Sequence, residues 1–241
     1  MRVFLIILLS SLCLVACSKH ESSVPIEKLA VENEVTAAEV NGQPDEESPE
    51  MMEYAEFLVD DEIVSIAIKD IPILEQYLRF QKNPNEKIME MELKKIDVGA
   101  ENIFLLQFSC FDGHCSHLLL HPDRKNIVHL IADIATYQSF FPTPDGSKIA
   151  FLFNRLSEEN LPLGHVVVYD FINRKLIPMV SLDGIDKLDY TWPILSVEWE
   201  DNHSLTVTYP DLLEPAVGNW ERWISNQENT KETILYESIE E

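Results

Sequence analysis

The stretch "PTPDGSKIAFLFNR", residues 142–155, sets a tight turn directly in front of a run of strand-forming side chains. Pro144, Asp145 and Gly146 each favour a turn for a separate reason. The proline ring fixes φ, the aspartate carboxylate bonds its own backbone, and glycine reaches positive φ freely. Residues 148–154 are rich in aromatic and β-branched groups and read as a strand. A polar connector follows, then "HVVVYDF" (165–171) as a strand, a turn at "INRK" (172–175), and "LIPMV" (176–180) as a strand. The same order recurs upstream. "ENIFLLQF" (101–108) is a strand, "SCFDGHC" (109–115) a connector, "SHLLLHP" (116–122) a strand, "DRKN" (123–126) a turn and "IVHLI" (127–131) a strand. Downstream, "DNHSLTVTY" (201–209) leads, "NWERWIS" (219–225) is read as the next strand, "NQENTK" (226–231) as a turn and "ETILYE" (232–237) as the last strand. The leading strands centre near Phe104, Phe151 and Val207, spaced 47 and 56 residues apart. Repeats of this period mark arrays and propellers. A weaker opening unit starts at "DDEIVSIAI" (60–68), with "EKIMEMELKKI" (86–96) as its later strand.

The run from Pro144 to Phe151 resembles the repeat of TolB-type β-propellers, whose blades carry a Pro-Asp-Gly turn before an Ile-Ala-Phe strand. "VEWEDNHSLTVTY" (197–209) resembles it more loosely, with Trp199 ahead of the turn and Asp201-Asn202 in place of Asp-Gly; "AENIFLLQF" lacks the motif. The resemblance spans about 140 residues and implies an all-β fold of antiparallel meander repeats, propeller-like, with three or four blades. Closed propellers usually hold four blades or more, so an open β-sandwich or barrel is the alternative. One short helix interrupts the pattern at "IPILEQYLRFQKN" (71–83). Asp70 is its expected N-cap, Pro72 lies in the first turn, and Ile71, Leu74, Tyr77, Leu78 and Phe80 fall at helical spacing. Such a helix packs on a sheet edge or plugs one end of the domain; the sharper reading is that it engages a partner's groove.

At the N-terminus, Arg2 precedes 14 uncharged residues, Val3 to Ala16. A membrane-spanning helix needs about 20 apolar residues, whereas the core of an export signal needs about 7–15 behind a positive residue. Residues 1–16 therefore read as a signal peptide. Leu14-Val15-Ala16-Cys17 resembles the lipobox of bacterial lipoproteins. That resemblance implies a diacylglyceryl group on the Cys17 sulfur, further acylation such as palmitate, and cleavage that makes Cys17 the first residue. Each buried methylene contributes about 0.8 kcal/mol, so two chains or more hold firmly where one does not. The expected location is the cell membrane or outer membrane, lipid-anchored, on the extracytoplasmic face.

Acidic residues outnumber basic ones 42 to 18, for a net charge of −24; loss of Arg2 with the signal makes it −25. Such a chain repels nucleic acid and anionic headgroups. Residues 18–56 carry eleven acidic residues and two lysines, net −9 over 39 residues, with few large apolar groups. Residues 17–50 are accordingly expected to form a lipidated cysteine and disordered acidic tether, spanning roughly 30 Å. Residues 51–241 suffice for one globular domain with its own core. Seven glycines in the whole chain leave no glycine-rich phosphate loop.

Cys13 departs with the signal and Cys17 is capped by lipid, which leaves Cys110 and Cys115 in an oxidising compartment. They flank "FDGH", where Asp112-Gly113 is a hairpin turn signal. In that hairpin Phe111 and His114 pair through hydrogen bonds, and Cys110 and Cys115 stand opposite each other in the next, closer pair, so a disulfide is expected. The competing role is a metal or redox site, because Cys110, Asp112, His114, Cys115, His117 and His121 fall within twelve residues. Strand alternation puts His117 and His121 on the face of Cys115 and His114 on the other. A four-ligand shell would need outside help, so neither metal nor cofactor is expected. No nucleophile-elbow, zinc-protease, Walker or EF-hand motif occurs. Asp183, Asp186 and Asp189 recur every third residue but fit neither a calcium loop nor a specific catalytic pair, and read as a solvated loop. Tyr190, Trp192, Trp199, Trp220 and Trp223 concentrate late in the chain. Aromatic rings stack on sugars or anchor partners, although core packing is their commoner use. Trp192, Trp220, Trp223, His114 and His117 are the candidate binding residues, and His165 is read as structural. The expected function is a non-enzymatic binding or accessory module with an envelope protein or glycan as partner. The alternatives are an envelope glycan hydrolase using Asp or Glu and a metal- or redox-sensing lipoprotein.

Overall fold

The computed structural model describes residues 51–98, 102–121, 127–182, 184, 186–226 and 230–239. The expected signal peptide, Cys17 and the acidic tether lie outside these residues, as does Asp183. The chain opens with a hairpin of β1 (Tyr54–Val59) and β2 (Glu62–Ala67). Its turn residues Asp60 and Asp61 both take positive φ, which aspartate tolerates better than most residues. A 3₁₀ turn (Ile68–Asp70), α1 (Pro72–Arg79) and α2 (Pro84–Met89) follow. Next come β3 (Glu92–Ile96), β4 (Ile103–Phe111), β5 (His114–Leu120), β6 (Val128–Pro142) and β7 (Lys148–Leu156). After them run β8 (Pro162–Asp170), β9 (Lys175–Ile177), β10 (Met179–Ser181), β11 (Ser196–Trp199), β12 (Ser204–Pro210), α3 (Val217–Ser225) and β13 (Lys231–Ser238).

The domain is mostly β, and all its strand pairs are antiparallel. β3 to β9 form one seven-stranded meander in chain order, β11, β12, β13 and β10 form a four-stranded sheet, and β1–β2 stand as a pair. Among the described residues no sheet closes into a barrel. The long strand β6 serves twice. Its first half pairs with β5 as far as Ala135, its second half pairs with β7 from Thr136, and Ile134 at φ 47° marks the change. The seven strands are thus two four-stranded meanders sharing β6. The three leading strands of the sequence repeat become β4, β7 and β12, each second in its four-stranded group.

Continuous apolar runs in β4 and β7 have both faces buried, which is why they do not alternate with polar residues. On β4, Phe104, Leu106 and Phe108 pack with Leu74 and Leu78 of α1, while Ile103 and Leu105 face the other way, toward Ile149, Phe151 and Phe153 of β7. From β7, Ala150 and Leu152 point into a third cluster with Val207, Tyr209 and Tyr236. The two aspartate turns of the repeat are built alike. The Asp145 carboxylate accepts from the Ser147 amide (2.9 Å) and Thr143 Oγ1 (2.9 Å), and the Asp201 carboxylate accepts from the His203 and Ser204 amides (both 2.7 Å). Backbone donors are the main cause holding both carboxyls below their ordinary range. The two turns also meet, because Lys148 Nζ donates to the Asn202 carbonyl at 2.9 Å.

Several expectations are corrected. "NWERWIS" is not a strand but the core of α3. Tryptophans three apart share a helix face, whereas a strand would send them to opposite sides. "EKIMEMELKKI" begins inside helix α2 and becomes strand only at Glu92. "LIPMV" is split at Pro178 into β9 and β10, which belong to different sheets, since proline cannot donate to a ladder. α1 is capped at Ile71 rather than Asp70, which ends the preceding 3₁₀ turn. The described residues hold three α-helices rather than one. None is long and apolar enough to cross a membrane.

One glycine fixes a crossing. The Gly164 amide donates to the Trp192 carbonyl and its carbonyl accepts from the Tyr190 amide, both at 2.8 Å. A Cβ there would meet the Ile194 side chain at 2.5 Å. Gly164→Ala is expected to cost about 1–3 kcal/mol through overpacking, read from the urea midpoint. A loss under about 0.5 kcal/mol would mean that the 190–194 segment yields freely.

Candidate functional site

A groove flanked by exposed aromatic surface lies between α1 and strands β4–β6. Pro72 starts α1, and Leu74 and Leu78, one turn apart, are buried with Ile71 in the core beneath. The remaining face of the helix presents Ile73, Gln76 and Tyr77, and the residue after it presents Phe80, to a groove of about 340 Å³, whose sheet wall is Phe108, Ser109, Ser116, Leu130 and Asp133. Tyr77 and Phe108 meet edge to face with centroids 5.4 Å apart. Phe80, which falls at helical spacing with the buried Leu74 and Leu78 in the sequence, is 81% exposed. α1 ends at Arg79, so Phe80 lies just past the helix. The Ser116 hydroxyl donates to Asp133 at 2.5 Å, giving the groove one polar, anionic end.

The neighbouring hairpin tip carries the disulfide. Cys110 and Cys115 are joined, with Cα atoms 4.0 Å apart. Phe111 pairs with His114 as expected, but the next pair in the ladder is Phe108 with Ser116. Two residues of β4 therefore oppose one of β5, which is a β-bulge, and Ser109 takes φ 52° within it. The expected direct ladder pairing of the two cysteines is corrected accordingly. The bulge turns Cys110 to solvent, while Cys115 is 3% exposed.

The other expected Cys/His partners disperse. His114 Nδ1 lies 3.0 Å from the Asp112 carbonyl. His117 is fully buried, with its ring 5.0 Å from the Phe153 ring. Burial pushes its pKa down to about 4, only partly opposed by the Cys115 backbone. His121 Nε2 lies 2.9 Å from the Tyr169 hydroxyl. Among the described residues no three His, Cys, Asp or Glu side chains are placed to hold a metal ion.

The tryptophans work mainly as staples. The Trp192 indole donates to the Pro210 carbonyl (3.2 Å) and that of Trp223 to Thr230 (2.6 Å), so both grip the same end of the β12–β13 ladder. Trp199 donates to Phe141 at 2.9 Å. Trp220 and Trp223 stack on α3 at 5.4 Å and 7°. Lys187, itself buried, lies 4.4 Å over the Trp192 ring and pairs with Glu232 at 2.5 Å.

A cluster invisible in the linear sequence gathers on β7, β8 and the 186–190 segment. The Asp186 carboxylate accepts from the Leu188 amide. His165 Nδ1 lies 3.0 Å from the Leu188 carbonyl and 3.2 Å from Asp189. Its ring stacks on Tyr190 at 4.5 Å, and Arg155 covers that ring at 4.0 Å. Arg155 is held by the carbonyls of Ile134 (3.1 Å) and Asp133 (2.5 Å). Burial lowers the His165 pKa against the pull of Asp189, and burial pushes the Tyr190 phenol up to about 12. The imidazole, the phenol ring and the guanidinium stack on one another and are held by neighbouring carbonyls and Asp189, which makes the cluster a strut. The bridge of His165 with Asp189, 24 residues apart, is the signal that the sequence hides.

Neither family models, curated proteins nor solved structures match this chain.

Proposed function

We propose that the chain is a lipid-anchored envelope lipoprotein whose β domain acts as a non-enzymatic binding module. In this reading the groove between α1 and β4–β6 receives a segment of a partner protein. The observation that carries the reading is Phe80, an aromatic side chain left in solvent at the lip of an apolar groove. Exposed aromatics grouped over a pocket mark anchoring sites. Phe111, 85% exposed, and the exposed Leu130 and Ile134 extend the apolar surface along the same strands. Charge selects the occupant. Residues 51–241 hold 33 acidic and 15 basic residues, net −18, and Asp133 stands at the groove's polar end. The segment bound is therefore one with a large apolar anchor and basic flanking residues, whose encounter the acidic field accelerates. Leu14-Val15-Ala16-Cys17 supports the anchor, and the four-stranded groups in which β4, β7 and β12 hold the second place support a propeller-like ancestry for the domain.

Two measurements test this. Mass spectrometry of protein from its native host is expected to find an acylated Cys17 as the first residue; an unmodified chain beginning at Met1 ends the anchor. Titration with a short peptide carrying one tryptophan and flanking lysines is expected to show binding that weakens with salt and falls tenfold or more in Phe80→Glu. The same peptide with glutamates in place of the lysines is expected not to bind, and equal binding of both would overturn the assignment of the occupant.

A further inference from the structure

We infer that the Cys110–Cys115 bond is a thiol–disulfide exchange site whose state sets the shape of the neighbouring groove. The exchange itself stands apart from the binding role above; only its consequence for a ligand rests on that reading.

Three observations converge. First, the two sulfurs belong to unlike residues: Cys110 is exposed and Cys115 is buried. An incoming thiolate reaches only the Cys110 side, which fixes the sulfur attacked. Second, the bond closes a loop with a sequence separation of five that the Asp112-Gly113 turn and the Phe111–His114 pair already close. A cross-link stabilises chiefly by restricting the unfolded chain, and least for the shortest loops, so a stapling role is weak here. Third, the bond sits on the bulge where Ser109 holds φ 52°, a conformation disfavoured for residues other than glycine. Ser109 and Ser116, covalent neighbours of Cys110 and Cys115, both line the groove, with Phe108 next to Ser109. Opening the bond unclamps the bulge, lets Ser109 relax toward extended backbone, and moves the groove wall. Phe111, exposed beside Cys110, offers an apolar contact for the reductant.

The reductant is a dithiol protein or small dithiol. Its thiolate attacks Cys110 Sγ, the Cys110–Cys115 bond breaks, and Cys115 leaves as a thiolate that takes up a proton. The reductant's second thiolate then attacks its own sulfur in the mixed disulfide and expels Cys110 as a thiolate, which is protonated in turn. Two electrons pass in all: the dithiol becomes a disulfide and the two cysteines become thiols.

The test uses the oxidised mature chain under native conditions. It is treated with dithiothreitol, and samples are quenched with acid at intervals and freed of reductant. Their thiols are then labelled with a maleimide in denaturant, and folding before the quench is followed in parallel by circular dichroism. Reduction of the bond, read as the appearance of both thiols in the quenched samples, is expected within tenfold of the rate in the urea-unfolded chain, with the fold retained. Methyl NMR signals of Ile73 and Leu130 in the groove are expected to shift on reduction, and Cys110→Ser/Cys115→Ser is expected to reproduce the reduced positions. A bond that resists reductant until the domain unfolds overturns the exchange site. Reduction without movement of the groove methyls overturns the coupling. Both readouts stand even if no peptide binds, so failure of the binding role is told apart from failure of this one.

Discussion

Phe151→Ala is expected to destabilise the domain by about 3–5 kcal/mol, the range for truncating a large buried aromatic side chain. Phe151 is fully buried on β7, stacked with Phe153 at a centroid distance of 6.4 Å and packed in the cluster that holds Ile103, Leu105, Ile149 and Tyr169. β7 is an inner strand, paired with β6 on one side and β8 on the other, so the surroundings cannot collapse easily into the void. Domains of this size are stable by only about 5–15 kcal/mol in total, and the variant stands close to unfolding. Urea titration with an unchanged slope reads the loss. Phe80→Ala is the control: its ring is in solvent, and its removal is expected to change stability by less than about 0.5 kcal/mol. Equal midpoints for the two variants would show that the core is wrongly assigned.

Acid is expected to weaken the domain well above the range where carboxylates protonate. His117 has an ordinary pKa of 6.5 in the unfolded chain and about 4 in the folded one, because burial disfavours the imidazolium. Its folded pKa is depressed, so the unfolded state binds the proton more readily between those values. The full stabilising contribution is present above pH 6.5. It is lost progressively as the pH falls toward 4, and below that the loss amounts to roughly 3 kcal/mol. His129 and His165 shift in the same direction, both chiefly through burial, and steepen the fall. Asp145 and Asp201, held low by backbone donors, begin to matter only below about pH 3.8. Unfolding midpoints measured from pH 7.5 to 4 follow the loss, and His117→Phe is expected to flatten its upper part. A proton NMR titration that places the His117 midpoint near 6.5 would refute the account.

The parts of this fold legible in the sequence share one property: their information is local. Pro144-Asp145-Gly146 announces a turn because three contiguous residues have the needed backbone chemistry, and Asp201-Asn202-His203 repeats it with the same side-chain capture of the following amides. "IFLLQF" and "IAFLF" read as strands from their apolar, β-branched and aromatic residues; that β4 and β7 each separate two cores is visible only in the structure. Asp112-Gly113 marks the hairpin whose tip the two cysteines join. "NWERWIS" misleads because tryptophan favours strands by propensity, while its three-residue spacing also fits a helix. No propensity of that segment says that it is left without a sheet neighbour, and β13 takes the place beside β12.

What the chain settled by itself is therefore the all-β character, the lead strands of the repeat and the cysteine pair, since turn chemistry and side-chain periodicity act over a few residues. Only the tertiary structure decided that Phe80 stays in solvent over a groove, that a bulge at Ser109 separates the accessible Cys110 from the buried Cys115, and that His165 meets Asp189. Each of these depends on which face of one element meets another distant in sequence. That choice is made by the packing of whole strands against a shared core, where a one-residue change of register reverses every side chain on the strand.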